Sequence, residues 1–128
     1  MRIVNLYPKS RDMELLRLNA QSDDRLEAFK AQRLLDLVHY LHAHSPEPQI
    51  YCHFYIMELR LSLFVPGKRV FIKLWIDWKE YGVARDGLPE AYYRLKIKRG
   101  QSVLSEDARV KSPQEVEGII CEAFGWSR

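Results

Sequence analysis

Long apolar runs are missing from this 128-residue chain. None approaches the ~20 residues that a helix needs to cross a bilayer. The opening Met1–Pro8 stretch turns polar after Leu6, which is too short for the apolar part of a signal peptide. A cytoplasmic protein with no membrane association is the expectation. Cysteine is almost absent: Cys52 and Cys121 form neither a CxxC pair nor a disulfide framework, and both lie in or beside apolar stretches, so core thiols are expected. There is no glycine-rich phosphate loop, no G-x-S-x-G elbow and no Cys/His nucleophile pair. No catalytic residue, metal or cofactor is therefore assigned, and a non-enzymatic role is expected. Neither sign of charge dominates: 20 Lys and Arg against 17 Asp and Glu leave a net +3, which permits a polyanionic partner without requiring one. With no linker-like or low-complexity segment, residues 1–128 read as one domain.

What the chain does have is period-two alternation, concentrated between Gln49 and Lys98. Met57, Leu59, Leu61, Leu63 and Val65 alternate with Glu58, Arg60 and Ser62, the pattern of a half-buried strand. Because a strand from Gln49 to Val65 would be unusually long, a bend or bulge is expected before Met57. A Pro66-Gly67-Lys68-Arg69 turn leads into Val70, Ile72, Leu74, Ile76 and Trp78, which alternate with Phe71, Lys73, Trp75, Asp77 and Lys79. A four-residue loop would set Leu61 against Leu74, Phe64 against Phe71 and Arg60 against Trp75, at the expense of setting Glu58 against Asp77. Tyr93, Leu95 and Ile97 then alternate with Tyr92, Arg94, Lys96 and Lys98 in a third strand whose outer face is basic. Arg2–Tyr7 suits a short edge strand, and Ser102–Val110 a short strand or irregular crossing segment.

Helical signals flank this region. Ser10 caps a helix from about Arg11 to Ala20, and a second is expected from Asp23 to His44, with Leu26, Phe29, Leu34, Leu37, Val38 and Leu41 as its apolar stripe. Ser112 as N-cap, Pro113 at the first position, Glu115 completing a capping box and Gly125 after the end define a C-terminal helix that buries Val116, Ile119, Ile120, Ala123 and Phe124. The fold class is α+β: a mainly antiparallel sheet of three to four strands, with the long helix and the C-terminal helix on one face.

The opposite face is the first candidate site. Arg60, Lys73, Trp75, Lys79, Tyr92, Arg94, Lys96 and Lys98 would project from it together, and cations among rings on an open sheet suit phosphates and stacked bases. The same composition, with Tyr51, Tyr55, Tyr81, Tyr93 and Trp126, also suits a protein interface. A protein or ribonucleoprotein partner thus stands beside nucleic acid; inhibitors, immunity proteins and accessory proteins of mobile elements have this profile. Behind both comes a nuclease reading: Glu58 followed by Asp77-Trp78-Lys79 resembles the acid and (acid)-x-Lys arrangement of the restriction-endonuclease-like superfamily. That resemblance implies carboxylates that hold Mg²⁺ and a lysine that steadies developing charge. A zinc-type cluster of His39, His42, Cys52 and His53 ranks last.

Overall fold

In the computed structural model, residues 2–4, 10–44, 49–83 and 89–126 are described, with side chains for 10–43, 49–77 and 92–126. The elements are β1 (Arg2–Val4), α1 (Arg11–Asn19), α2 (Arg25–His44), β2 (Gln49–Tyr55), β3 (Arg60–Phe64), β4 (Val70–Val83), β5 (Pro89–Arg99), β6 (Ser102–Val110) and α3 (Pro113–Phe124). They form one six-stranded sheet in chain order, with β1 parallel to β2 and every later pair antiparallel. The α+β class holds, but three to four strands is an undercount.

The largest difference lies in the stretch read as one bent strand. Ile56–Leu59 is a reverse turn, so Gln49–Phe64 is a hairpin and not a single strand. Glu58 and Leu59 N–H groups donate to the Tyr55 and Ile56 carbonyls at 3.2 and 3.3 Å. The turn carries no Gly, Pro, Asn or Asp, the residues that normally announce one. Leu59 adopts φ +46°, a left-handed conformation costly for a branched side chain, yet it stays buried at 8% exposure. Met57, expected on the core side, is 94% exposed.

The β3–β4 turn is as expected. Leu61 faces Leu74, Phe64 faces Phe71 and Arg60 faces Trp75. Gly67, at φ +84°, follows Pro66, and the Lys68 N–H closes the turn on the Val65 carbonyl at 3.1 Å. β5 runs on to Arg99, and Ser102–Val110 is a complete nine-residue strand joined to it through Gly100-Gln101. β6 is exposed along nearly its whole length, so no burial alternation marks it in the sequence; ladder bonds to β5 make it a strand.

All three helices contribute to one core cluster with the inward residues of the sheet, but Leu26 and Phe29 at the start of the stripe expected on α2 are only half-buried and outside it. Ser10 caps α1 by accepting from the Met13 N–H at 3.2 Å. The cap of α2 is Asp24, two residues later than expected, whose Oδ1 accepts from Leu26 and Glu27 N–H groups at 3.0 and 3.1 Å. Ser112 caps α3 through the Glu115 N–H at 3.2 Å, and Glu115 reaches back to the Lys111 N–H at 3.3 Å. Beyond Gly125 (φ +73°), the Trp126 N–H closes on the Cys121 carbonyl at 2.8 Å, completing a Schellman end. Leu34, Leu37, Val38, Leu41, Val116 and Ile120 are fully buried, as their spacing predicts. Tyr93 ties sheet to helix: its ring sits under the Arg33 guanidinium at 5.0 Å and its hydroxyl donates to the Arg33 carbonyl at 3.2 Å.

Cys52 and Cys121 are both buried thiols, not joined in a disulfide. Burial pushes the Cys52 thiol far above its ordinary range, outweighing a backbone hydrogen bond from Ser62 that acts the other way. Neither thiol should react with a soluble disulfide reagent at neutral pH until denaturant is added. Prompt labelling of the native protein, read by absorbance, would show that the core opens locally.

Candidate functional site

Antiparallel register turns the face away from the helices into rows that cross the strands. One row reads Tyr55, Arg60, Trp75, Arg94 from β2 to β5. The next reads His53, Ser62, Lys73, Lys96, Glu106, and the third Tyr51, Phe64, Phe71, Lys98, Val103. The result is a lysine row between two rows rich in rings. Among the described residues no helix covers this face. α1 packs on α2 on the other side, so Trp75 is not beneath the N-terminal helix; it carries the Arg94 guanidinium over its ring at 4.9 Å.

Of the residues singled out from sequence, Arg60, Lys73, Trp75, Tyr92, Arg94, Lys96 and Lys98 all lie on this face and are half-buried. Lys79 lies outside the residues whose side chains are described. Sequence reasoning missed Ser62, Phe64 and Phe71, and it named Tyr51 only for a protein interface and His53 only as a metal ligand, without placing either on this face. For Phe64 and Phe71 the signal was available, because both share the parity of Arg60 and Lys73 along their strands. Tyr51 and His53 join the face only through the β2–β3 hairpin, whose turn has no sequence signature.

The cations on this face fall into two groups. Arg60 and Arg94 are tied down. Arg60 Nε lies 2.9 Å from Glu58 Oε2, a close charge contact without hydrogen-bond alignment, and its guanidinium covers the Tyr55 ring at 4.4 Å. Arg94 Nε donates to Glu106 Oε1 at 2.7 Å and Nη2 bonds the same oxygen, while Nη1 lies 3.9 Å from Asp77. The Arg94 hydrogen bonds hold the Glu106 carboxyl below its usual range. By contrast, no carboxylate among the described residues reaches ion-pair distance of Lys73, Lys96 or Lys98. Lys98 rests its ammonium over the Phe71 ring at 5.7 Å. Partial desolvation, then Lys98, Arg60 and Lys96, depress the Lys73 pKa, only partly offset by Glu58.

The rings cluster beside these lysines. His53 stacks on Phe64 at 5.0 Å with a 21° interplanar angle, and Tyr51 tilts against the same ring at 5.7 Å. Near the β3–β4 turn, His53, Ser62, Phe64 and Phe71, with Lys68 and Arg69, line an open concavity of about 320 Å³. Lys68 is also engaged elsewhere, its ammonium donating to the Phe124 carbonyl at 2.6 Å.

The two metal-site readings fare differently from the lysine row. Glu58 does not face Asp77 across a ladder: β3 starts at Arg60, Glu58 sits in the turn on Arg60, and the ladder partner of Asp77 is Tyr92. The expected pair of facing carboxylates is therefore corrected. In the other set, Cys52 points into the core and His53 to the opposite face, so neighbouring residues on one strand cannot both turn toward His39 and His42. Among the described residues, no three His, Cys, Asp or Glu side chains converge as metal ligands would. No protein-family model, curated protein or solved structure matches this chain.

Proposed function

We propose that this protein binds nucleic acid, free or within a nucleoprotein, through the uncovered face of its sheet, and does so without catalysis. The observation that supports this reading is the crowding of Lys73, which stands directly opposite Lys96 with Lys98 and Arg60 close by. Like charges directly opposite one another destabilise an antiparallel pair. A polyanion laid over the row would turn that repulsion into attraction, with phosphates on the lysines and rings to either side. Arg60 and Arg94, already held by acids and rings, would serve as walls more than as phosphate contacts.

The test is fluorescence anisotropy of labelled DNA and RNA with the purified protein over a salt series. Log affinity should fall linearly with log salt concentration, with a slope of about −2 for three phosphate contacts on a single strand. No binding at low salt would sink the reading. The exposed tip of the β2–β3 hairpin, with Tyr55 44%, Ile56 41% and Met57 94% exposed, favours a protein partner as the second reading. Such a complex would be stoichiometric and nearly indifferent to moderate salt.

A further inference from the structure

The concavity beside the lysine row allows the ligand to be specified further, and this step rests on the nucleic-acid reading above. Rings line it: His53 stacked on Phe64, and Phe71, the ladder partner of Phe64, all on the uncovered face. Ser62, between His53 and Lys73 in the row, offers a hydroxyl, and Arg69 from the β3–β4 turn adds a cation to the lining, with Lys73 next to Ser62 in the ladder. At about 320 Å³ it is at the small end for a ligand site and open to solvent, which suits one planar group and not an extended molecule.

A duplex has little use for such a feature. Its bases are stacked on one another inside, and what enters its major groove is a helix or a two-stranded ribbon. The lysine row lies flat on the sheet, and the neighbouring hairpin tip is apolar, so a duplex resting here would leave the rings against water and phosphate. Unstacked bases of a single strand, in contrast, lie readily on aromatic side chains while the phosphates follow a basic track.

We infer that the face takes single-stranded nucleic acid, with one base seated between the His53/Phe64 pair and Phe71 and the flanking phosphates on Arg69 and Lys73. Ser62 and the imidazole of His53 are the groups placed to meet the edge of that base. The pocket carries no other hydrogen-bonding set dedicated to one base edge, so preference among bases should be weak and stacking should dominate.

The experiment compares a labelled single strand, its duplex and an abasic strand of equal length at one salt concentration, using the 128-residue chain. The single strand should bind at least about tenfold more tightly than either of the others, since stacking of one base is worth about that factor or more. His53→Ala, at an exposed position, and Phe71→Leu, which keeps apolar bulk but removes the ring, should each lower single-strand affinity toward the abasic value. His53→Ala should leave abasic-strand binding unchanged, while Phe71→Leu, which also removes the ring beneath the Lys98 ammonium, should cost the single strand more than the abasic one. Equal affinity for all three ligands, with steep salt dependence, would overturn the base seat and leave the phosphate-binding reading standing. A single-strand preference that survives in both variants would also overturn the seat. Absence of binding to every ligand at low salt would overturn the inference together with the reading beneath it.

Discussion

Replacing Lys73 with Glu should make the protein more stable and a poorer ligand for nucleic acid at the same time. Lys73 sits between Ser62 and Lys96 in the ladder, with Lys98 and Arg60 adding to the positive field. Its pKa is pushed down, first by partial desolvation and then by these cations, so the folded state is penalised wherever the ammonium is protonated, which includes neutral pH. That penalty fades as pH rises through the depressed value. Lys73→Glu removes the repulsion and sets an opposite charge against Lys96; each change is worth about 0.2–1 kcal/mol in a cross-strand pair, toward the low end where water screens it. The melting temperature should rise by roughly 1–5 °C for a domain of this size.

Binding should move the other way and further. The variant loses one phosphate contact and places a carboxylate on the phosphate track, where like charges across an interface cost several kcal/mol. An affinity loss of about two orders of magnitude at low salt, with the salt slope shallower by about one, is the expected result. The opposed signs make the test sharp. A lysine that merely supports the fold would lose stability when reversed, so a fall in melting temperature, or an unchanged affinity, would refute this account of the row.

The second large effect is at Leu59, where two costs compete. Truncating a buried leucine to alanine leaves a cavity and costs about 2–5 kcal/mol. Alanine, however, keeps a Cβ in the left-handed conformation at φ +46°, which costs about 1–2 kcal/mol relative to an unstrained residue. Glycine empties the same pocket but removes that strain. Leu59→Gly should therefore be more stable than Leu59→Ala by about 1 kcal/mol, although both fall well below the parent. That inverts the usual order, in which glycine is the worse substitution in a folded segment. Denaturant midpoints of the three proteins decide it, and the ordinary order would mean that the strain at this turn is negligible.

Leu59 also shows why the sequence was legible in some places and not in others. Where a turn used the residues that favour it, as at Pro66-Gly67 or Ser112-Pro113, both its position and the pairing it imposes could be read directly. The turn at Ile56–Leu59 depends instead on tertiary burial of Leu59; local chemistry there pointed to a continuing strand. The consequence spread to the site. With β2 and β3 taken as one strand, Tyr51 and His53 had no place beside Ser62 and Phe64, and Glu58 was set on the ladder opposite Asp77. β6 was bounded correctly but left open between a strand and an irregular segment, for another reason. Its side chains meet solvent along the strand, so pairing alone defines it and no hydrophobic period reveals it. The basic residues were legible because alternation on β4 and β5 is strict and Tyr93, Leu95 and Ile97 are buried on the other side.

The order of strands has a kinetic meaning. From β2 to β6 each strand lies beside the next in the chain, so each pairing closes only a short length of sequence with little loss of entropy. β1 is the exception: Arg2, Ile3 and Val4 pair in parallel with Gln49, Ile50 and Tyr51 across the whole segment that forms α1 and α2. Because long closures are entropically late, the meander should assemble first and β1 should dock last. Pulse-labelled hydrogen exchange during refolding would then protect β3–β5 amides before those of β1, and simultaneous protection would contradict this order. The row of lysines would thus exist, spaced and charged, before the chain's own beginning has found its place on the sheet.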